Sequence, residues 1–186
     1  EIRIDWDFYI RGLEAENSGL CQLLKDNRSL LCDCQARGNA AAKSLPQVAA
    51  ICHNDMDCKN ILWNGRDYRI IDLECLSYSN PFLELMELAL CWSGYEERAV
   101  DFELFRVFVR SYLAAGGSAP EDWEAVYDSN CGRLEWLEYN IKRVLGIDCG
   151  ADEKEPGISE VRKTVEQIVY YADRKAAVLD SLSQSD

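Results

Sequence analysis

The chain has 186 residues, enough for one domain with a real core, and its 48% hydrophobic and 28% charged residues exclude a disordered or fibrous protein. A net charge of −13, from 33 acidic against 20 basic residues, repels nucleic-acid phosphate and anionic lipid and favours cationic partners, although a plain solvated acidic surface gives the same balance. With no signal peptide, no membrane-length apolar run and nine cysteines lacking Cys-x-x-Cys spacing, the expectation is free thiols in the cytoplasm and neither a nucleic-acid nor a membrane partner.

Between Ile4 and Ala42 apolar residues recur at helical spacing, and the pattern predicts two helices. Their break falls either at Asn27–Ser29 or at Gly38-Asn39, both turn signals. After Pro46, the short apolar run Val48 to Cys52 reads as a buried strand. Ile61-Leu62-Trp63 and Tyr68 to Ile71 flank Asn64-Gly65-Arg66-Asp67, where Asn-Gly is a strong turn signal, and predict a small hairpin.

Asn80-Pro81 then opens a helix whose apolar side is Phe82, Leu85, Met86, Ala89, Leu90 and Trp92. Further helices are expected over Ala99–Ala115, from Pro120 to Leu145 with Gly146 as its stop, and from Ile158 to Leu182, with a charged loop over Asp148–Gly157. The class is α+β, predominantly helical, with one embedded hairpin. Among the cysteines, Cys32 and Cys34 have one residue between them and no nearby histidine, which is poor zinc geometry.

The segment from His53 to Asn60 fits H-x-D-x-x-x-x-N, and Ile70-Ile71-Asp72-Leu73-Glu74 follows the hairpin. Phosphoryl transfer asks for a carboxylate near the attacking hydroxyl and for oxygen ligands that hold magnesium against nucleotide phosphates. Asp55 would accept or orient the hydroxyl proton, and Asn60 and Asp72 would ligate the metal from two sides. The hairpin explains how they meet: a strand leaving Asn60 turns and returns to set Asp72 beside its starting point. Singly, each has a plain structural account, with Asp55 as a helix cap, Asn60 as a turn former and Asp72 as a surface charge. Together with His53 they make a four-position pattern expected by accident on the order of once in a thousand chains.

The segment Ile51 to Gly94 resembles the catalytic core of the aminoglycoside phosphotransferase and choline kinase family, which shares the protein-kinase fold. The resemblance implies that Asp55 is the catalytic aspartate, that Asn60 and Asp72 are magnesium ligands, and that His53 is a structural support. It also implies ATP or GTP as donor and a protein-kinase-like C-terminal lobe spanning residues 1–186. The His-Asn-Asp opening and the Ile-Asp-Leu-Glu run lean toward the choline kinase branch.

Departures narrow the substrate. Asp57 stands where protein kinases carry lysine, and only eight residues separate Asp72 from Pro81, which leaves no extended activation segment and argues against a peptide substrate. Lys59 and Glu74 are supporting candidates; Glu74 replaces the glycine of Asp-Phe-Gly and reads equally as a metal-adjacent carboxylate or a salt-bridge partner. No glycine-rich loop and no strand lysine paired with a helix glutamate stands in the sequence, so the expectation is a lobe lacking its N-terminal, ATP-clamping partner lobe and nearly inactive alone.

For the substrate, Glu135, Trp136, Glu138 and Tyr139 on one predicted helix, with Trp92 and Tyr95 after the metal-binding loop, join acidic and aromatic groups suited to a small cation, though aromatics at such spacing are usually core. The leading reading is a small-molecule kinase with an alcohol acceptor, an aminoglycoside or a choline-like amino-alcohol. The alternatives are a non-catalytic kinase-like binding module and, more weakly, hydrolysis by a His-Asp pair.

Overall fold

The computed structural model describes residues 1–183. Among these residues are seven α-helices, four short strands and three 3-10 turns, so helix dominates, and the strands form two separate two-stranded antiparallel sheets. The described residues group into two compact units, one of residues 1–43 and 128–174, the other of 44–127 and 175–183.

The first unit contains α1 (Trp6–Ala15), most of α2 (Leu20–Ser44), α6 (Gly132–Leu145) and the larger part of α7 (Lys154–Ser183). Asp5 caps α1 by accepting from the Phe8 N–H at 2.9 Å. The core gathers Trp6, Tyr9, Leu13, Leu24, Leu31, Leu137 and Ile141. Each fully buried leucine or isoleucine contributes about 1.5–3 kcal/mol of transfer free energy.

The break between the first two helices lies at neither expected place. It falls at residues 16–19, where Asn17 takes a left-handed φ of 55°, and α2 runs unbroken through both proposed breaks. Inside α2, Asn27 Nδ2 donates to the Leu23 carbonyl one turn back, so its polarity is spent within the helix. Gly38 is needed for close approach: a Cβ there would stand 3.0 Å from the Asp128 carbonyl oxygen and collide with Cys131 Sγ. Asn39 braces the N-terminal segment, accepting from the Ile2 N–H and donating to the Ile2 carbonyl, each at 2.8 Å.

The second unit holds β1 (Ala50–Cys52), β2 (Ile61–Asn64), β3 (Asp67–Ile70), β4 (Ser77–Ser79), α3 (Pro81–Trp92), α4 (Phe102–Ala114) and most of α5 (Trp123–Ser129). Buried Phe82, Leu85, Met86 and Leu90 of α3 share this unit with Phe105 and Val109 of α4. The sequence placed α3 correctly: Asn80 Oδ1 accepts from the Phe82 N–H at 3.0 Å and Pro81 opens the first turn.

Several boundaries move. The strand expected over 48–52 is three residues long and not buried; Ile51 is 67% exposed, and only Cys52 points inward. The hairpin turn lies within the expected Asn64–Asp67 segment and centres on Gly65-Arg66, because Asn64 pairs with Asp67 and Gly65 takes φ of 64°. α4 starts at Phe102, since Asp101 Oδ1 accepts from the Glu103 and Leu104 N–H groups. The single helix expected from Pro120 to Leu145 is two, parted at Asn130-Cys131. The expected charged loop is largely helical, because Pro156 sits in the first turn of α7, where it removes no intrahelical bond.

Candidate active site

The loop from Cys52 to Asn60 and the segment Ile71 to Ser79 both belong to the second unit, and hydrogen bonds lace them together. β1 and β4 pair antiparallel, Cys52 opposite Ser77 and Ala50 opposite Ser79. β2 and β3 pair from Ile61 opposite Ile70 out to the tip, and the Ile71 N–H continues the ladder by donating to the Asn60 carbonyl at 3.0 Å. Chain entry and chain exit of the hairpin are therefore side by side.

His53 fixes that junction. It is buried, 3% exposed; its Nε2 lies 2.9 Å from the Ile71 carbonyl oxygen, and its Nδ1 accepts from the Asp55 N–H at 3.3 Å. One neutral tautomer satisfies both contacts, with the proton on Nε2. A single ring thus sets the backbone of Asp55 and of the residue preceding Asp72. Asn60, equally buried, donates through Nδ2 to the Asp55 carbonyl at 2.7 Å and to Asp55 Oδ2 at 3.2 Å. Its Oδ1 is what the side chain has left to offer a cation.

Asp55, Asp72 and Glu74 are exposed, as is Lys59, whose Nζ lies 3.4 Å from Asp57 Oδ2. The hydrogen bond to Asp57 holds the Lys59 ammonium above its ordinary range, and the charges of Asp55, Asp57 and Asp72 add to it. Both carboxylates of interest therefore act on one ammonium. Oxygen donors of this kind, two carboxylates and an amide, suit magnesium, a hard cation.

Two non-glycine residues here carry left-handed backbone, Asn54 (φ 61°) and Asp72 (φ 62°). Such conformations cost about 1–3 kcal/mol and persist only where surroundings impose them. Asn54 is held on all sides. Its N–H donates to Glu84 Oε1 at 2.8 Å, its Nδ2 to the carbonyls of Cys52 and Cys75 and to Ser77 Oγ, and its Oδ1 accepts from Ser79 Oγ at 2.7 Å. Asn54 and Glu84 were not singled out from the sequence; their roles depend on partners 21–30 positions away, which no local spacing signals.

The residues expected to bind substrate divide between the two units. Tyr95 is 1% exposed and belongs to the core, so it forms no wall for a ligand; its N–H closes the end of α3 on the Leu90 carbonyl. Trp92 is half-buried and lines a cavity of about 240 Å³ with Met56, Trp63, Tyr68, Leu88 and Phe108, an apolar chamber beside the loop. In the other unit, Glu138 accepts from the Tyr9 hydroxyl at 2.6 Å and pairs with Lys142 at 3.2 Å, which makes it structural. Trp136 and Tyr139 stack at 5.4 Å and stay about half exposed, with the Arg143 guanidinium already 5.6 Å from the Tyr139 ring. Glu135 lies exposed on the same helix.

No helix among the described residues is long and apolar enough to cross a membrane. Residues 9–128 match the sequence profile of the phosphotransferase enzyme family, a match that takes in the whole loop and hairpin. No curated protein and no solved structure matches the chain.

Proposed function

The chain belongs to the phosphotransferase enzyme family, and on that premise we propose that it is the kinase-like catalytic lobe of an enzyme that moves the γ-phosphoryl group of ATP or GTP to a hydroxyl of a small cationic molecule. Asp55 accepts the hydroxyl proton, or orients the hydroxyl for attack. Asn60 Oδ1 and the Asp72 carboxylate would hold Mg²⁺, which when bound neutralises phosphate charge. Lys59, paired with Asp57 at 3.4 Å and exposed, is suited to meet a phosphate oxygen. Glu74, two residues after Asp72, would orient the ion's water shell.

The observation that carries this reading is the double hold on Ile71, from the His53 ring on its carbonyl and from the Asn60 carbonyl on its N–H. It ties the residue before Asp72 to the motif that supplies Asp55 and Asn60, which is the preorganisation phosphoryl transfer depends on. The cationic substrate class rests on Asp55, Asp57, Asp72, Glu74 and Glu84 in one short region and on the net charge of −13. An aminoglycoside or a choline-like amino-alcohol fits that chemistry.

The test is a transfer assay with magnesium and ATP or GTP, run on the protein that carries this chain against a panel of aminoglycosides and amino-alcohols. The expected result is a phosphorylated product that Asp55→Ala reduces by roughly 10²–10⁴-fold. Ligand binding without transfer, unchanged in Asp55→Ala, would overturn the reading in favour of a non-catalytic binding module.

A further inference from the structure

Beside the phosphate-handling oxygens lies a second cluster of different chemistry. Asp57 and Cys58 come from the loop between Asp55 and Asn60, and Cys91 comes from the end of α3; one donor atom from each lies within 4.8 Å of the others. The two oxygens of Asp57 divide the labour. Oδ2 faces Lys59 at 3.4 Å, while Oδ1 faces Cys91 Sγ at 4.0 Å. Cys91 and Asp57 are half-buried and Cys58 is exposed, so the cluster is anchored on one side and open to solvent on the other.

From this arrangement we propose that Cys58 Sγ, Cys91 Sγ and Asp57 Oδ1 form a zinc site, distinct from the magnesium oxygens. Two thiolates select a soft, thiophilic divalent ion over magnesium, whose ligands are hard oxygens. Donors around tetrahedral zinc, with bonds of about 2.3 Å to sulfur and about 2.1 Å to oxygen, stand about 3.5–3.8 Å apart. Cys91 Sγ and Asp57 Oδ1 at 4.0 Å, with Cys58 Sγ within 4.8 Å of the cluster, would each have to draw in by up to about 1 Å to reach that spacing. Three protein ligands leave a fourth position for water, and binding releases the two thiol protons to solvent.

The position gives the ion a task. Cys58 begins the 3-10 turn that ends at Asn60, and Cys91 lies in the last turn of α3, so an ion here fastens the turn carrying the magnesium ligand to the helix behind it. The site needs no phosphoryl transfer to exist, and its test needs no substrate.

The experiment is a Co²⁺ titration of the 186-residue chain, kept reduced with a phosphine. One equivalent of cobalt should bind with a near-ultraviolet thiolate-to-metal charge-transfer band, and Zn²⁺ should displace it. Cys58→Ser and Cys91→Ser should each weaken binding by about 100-fold or more, given that even outer-shell partners are worth 10–100-fold. Asp57→Asn should weaken it while keeping both thiols, and Cys149→Ser should leave it unchanged. Circular dichroism of each variant separates loss of the site from loss of fold. A parent chain with no charge-transfer band, or Cys58→Ser and Cys91→Ser variants that bind cobalt as the parent does, would overturn the proposal. So would a Cys58–Cys91 disulfide formed readily with oxidised glutathione in a chain that takes up no metal, which would make the pair a redox couple instead.

Discussion

His53 is the only histidine in the chain, and its ring is spent on backbone at both nitrogens. Its role is therefore positional, and His53→Leu should cost transfer activity by about 10–100-fold through kcat, with the KM for nucleotide moving less; equal losses in kcat from substitutions at exposed loop positions would contradict this. The motif singles out Asp55, Asn60 and Asp72 because their spacing reflects one loop and one hairpin, both local objects. Asn54 and Glu84 were illegible for the opposite reason. Tyr9 shows the same limit: nothing near it in the chain marks its hydroxyl, which donates to Glu138, 129 positions away. Burial, then that hydrogen bond to Glu138, push the Tyr9 phenol well above its ordinary value. A raised folded-state pKa contributes stability that is complete below the unfolded value of about 10 and is lost as pH rises beyond it. Alkaline unfolding followed by circular dichroism should therefore begin near pH 10, and Tyr9→Phe should flatten that part of the profile.

At the scale of elements, helices were easy to find and hard to bound. Asn27, Gly38 and Asn39 are turn formers by composition, but α2 uses each in place, and the real break falls on Asn17-Ser18-Gly19, a turn-forming cluster at least as strong as either expected place. β4 was invisible because Ser-Tyr-Ser has no apolar pattern, and a two-stranded edge pairing needs none. The end of α3 can be tested directly. Gly94 has φ of 93°, and a Cβ there would stand 2.8 Å from the Ala99 carbonyl oxygen, a backbone atom that cannot swing away. Gly94→Ala should destabilise the protein by about 1–3 kcal/mol, measured by urea unfolding; a change below about 0.5 kcal/mol would show that the turn relaxes freely.

For the molecule as a whole, composition set the charge, and the charge sets a solution property. With −13 net, like charges repel in the folded state, and salt screens them over about 10 Å at 0.1 M. The melting temperature should rise as sodium chloride goes from low to physiological levels; a fall would mean that attractive pairs such as Arg28 with Asp7 outweigh the repulsion. The grouping of residues 1–43 with 128–174 had no counterpart in the sequence, since contacts between distant segments leave no periodicity along either. The tip of the hairpin is the reverse case, two residues, Gly65 and Arg66, with open space around the glycine. An affinity tag or fluorophore spliced between them would hang clear of the carboxylates at the hairpin's base, which makes that tip the natural handle for immobilising or labelling this protein while its chemistry is watched.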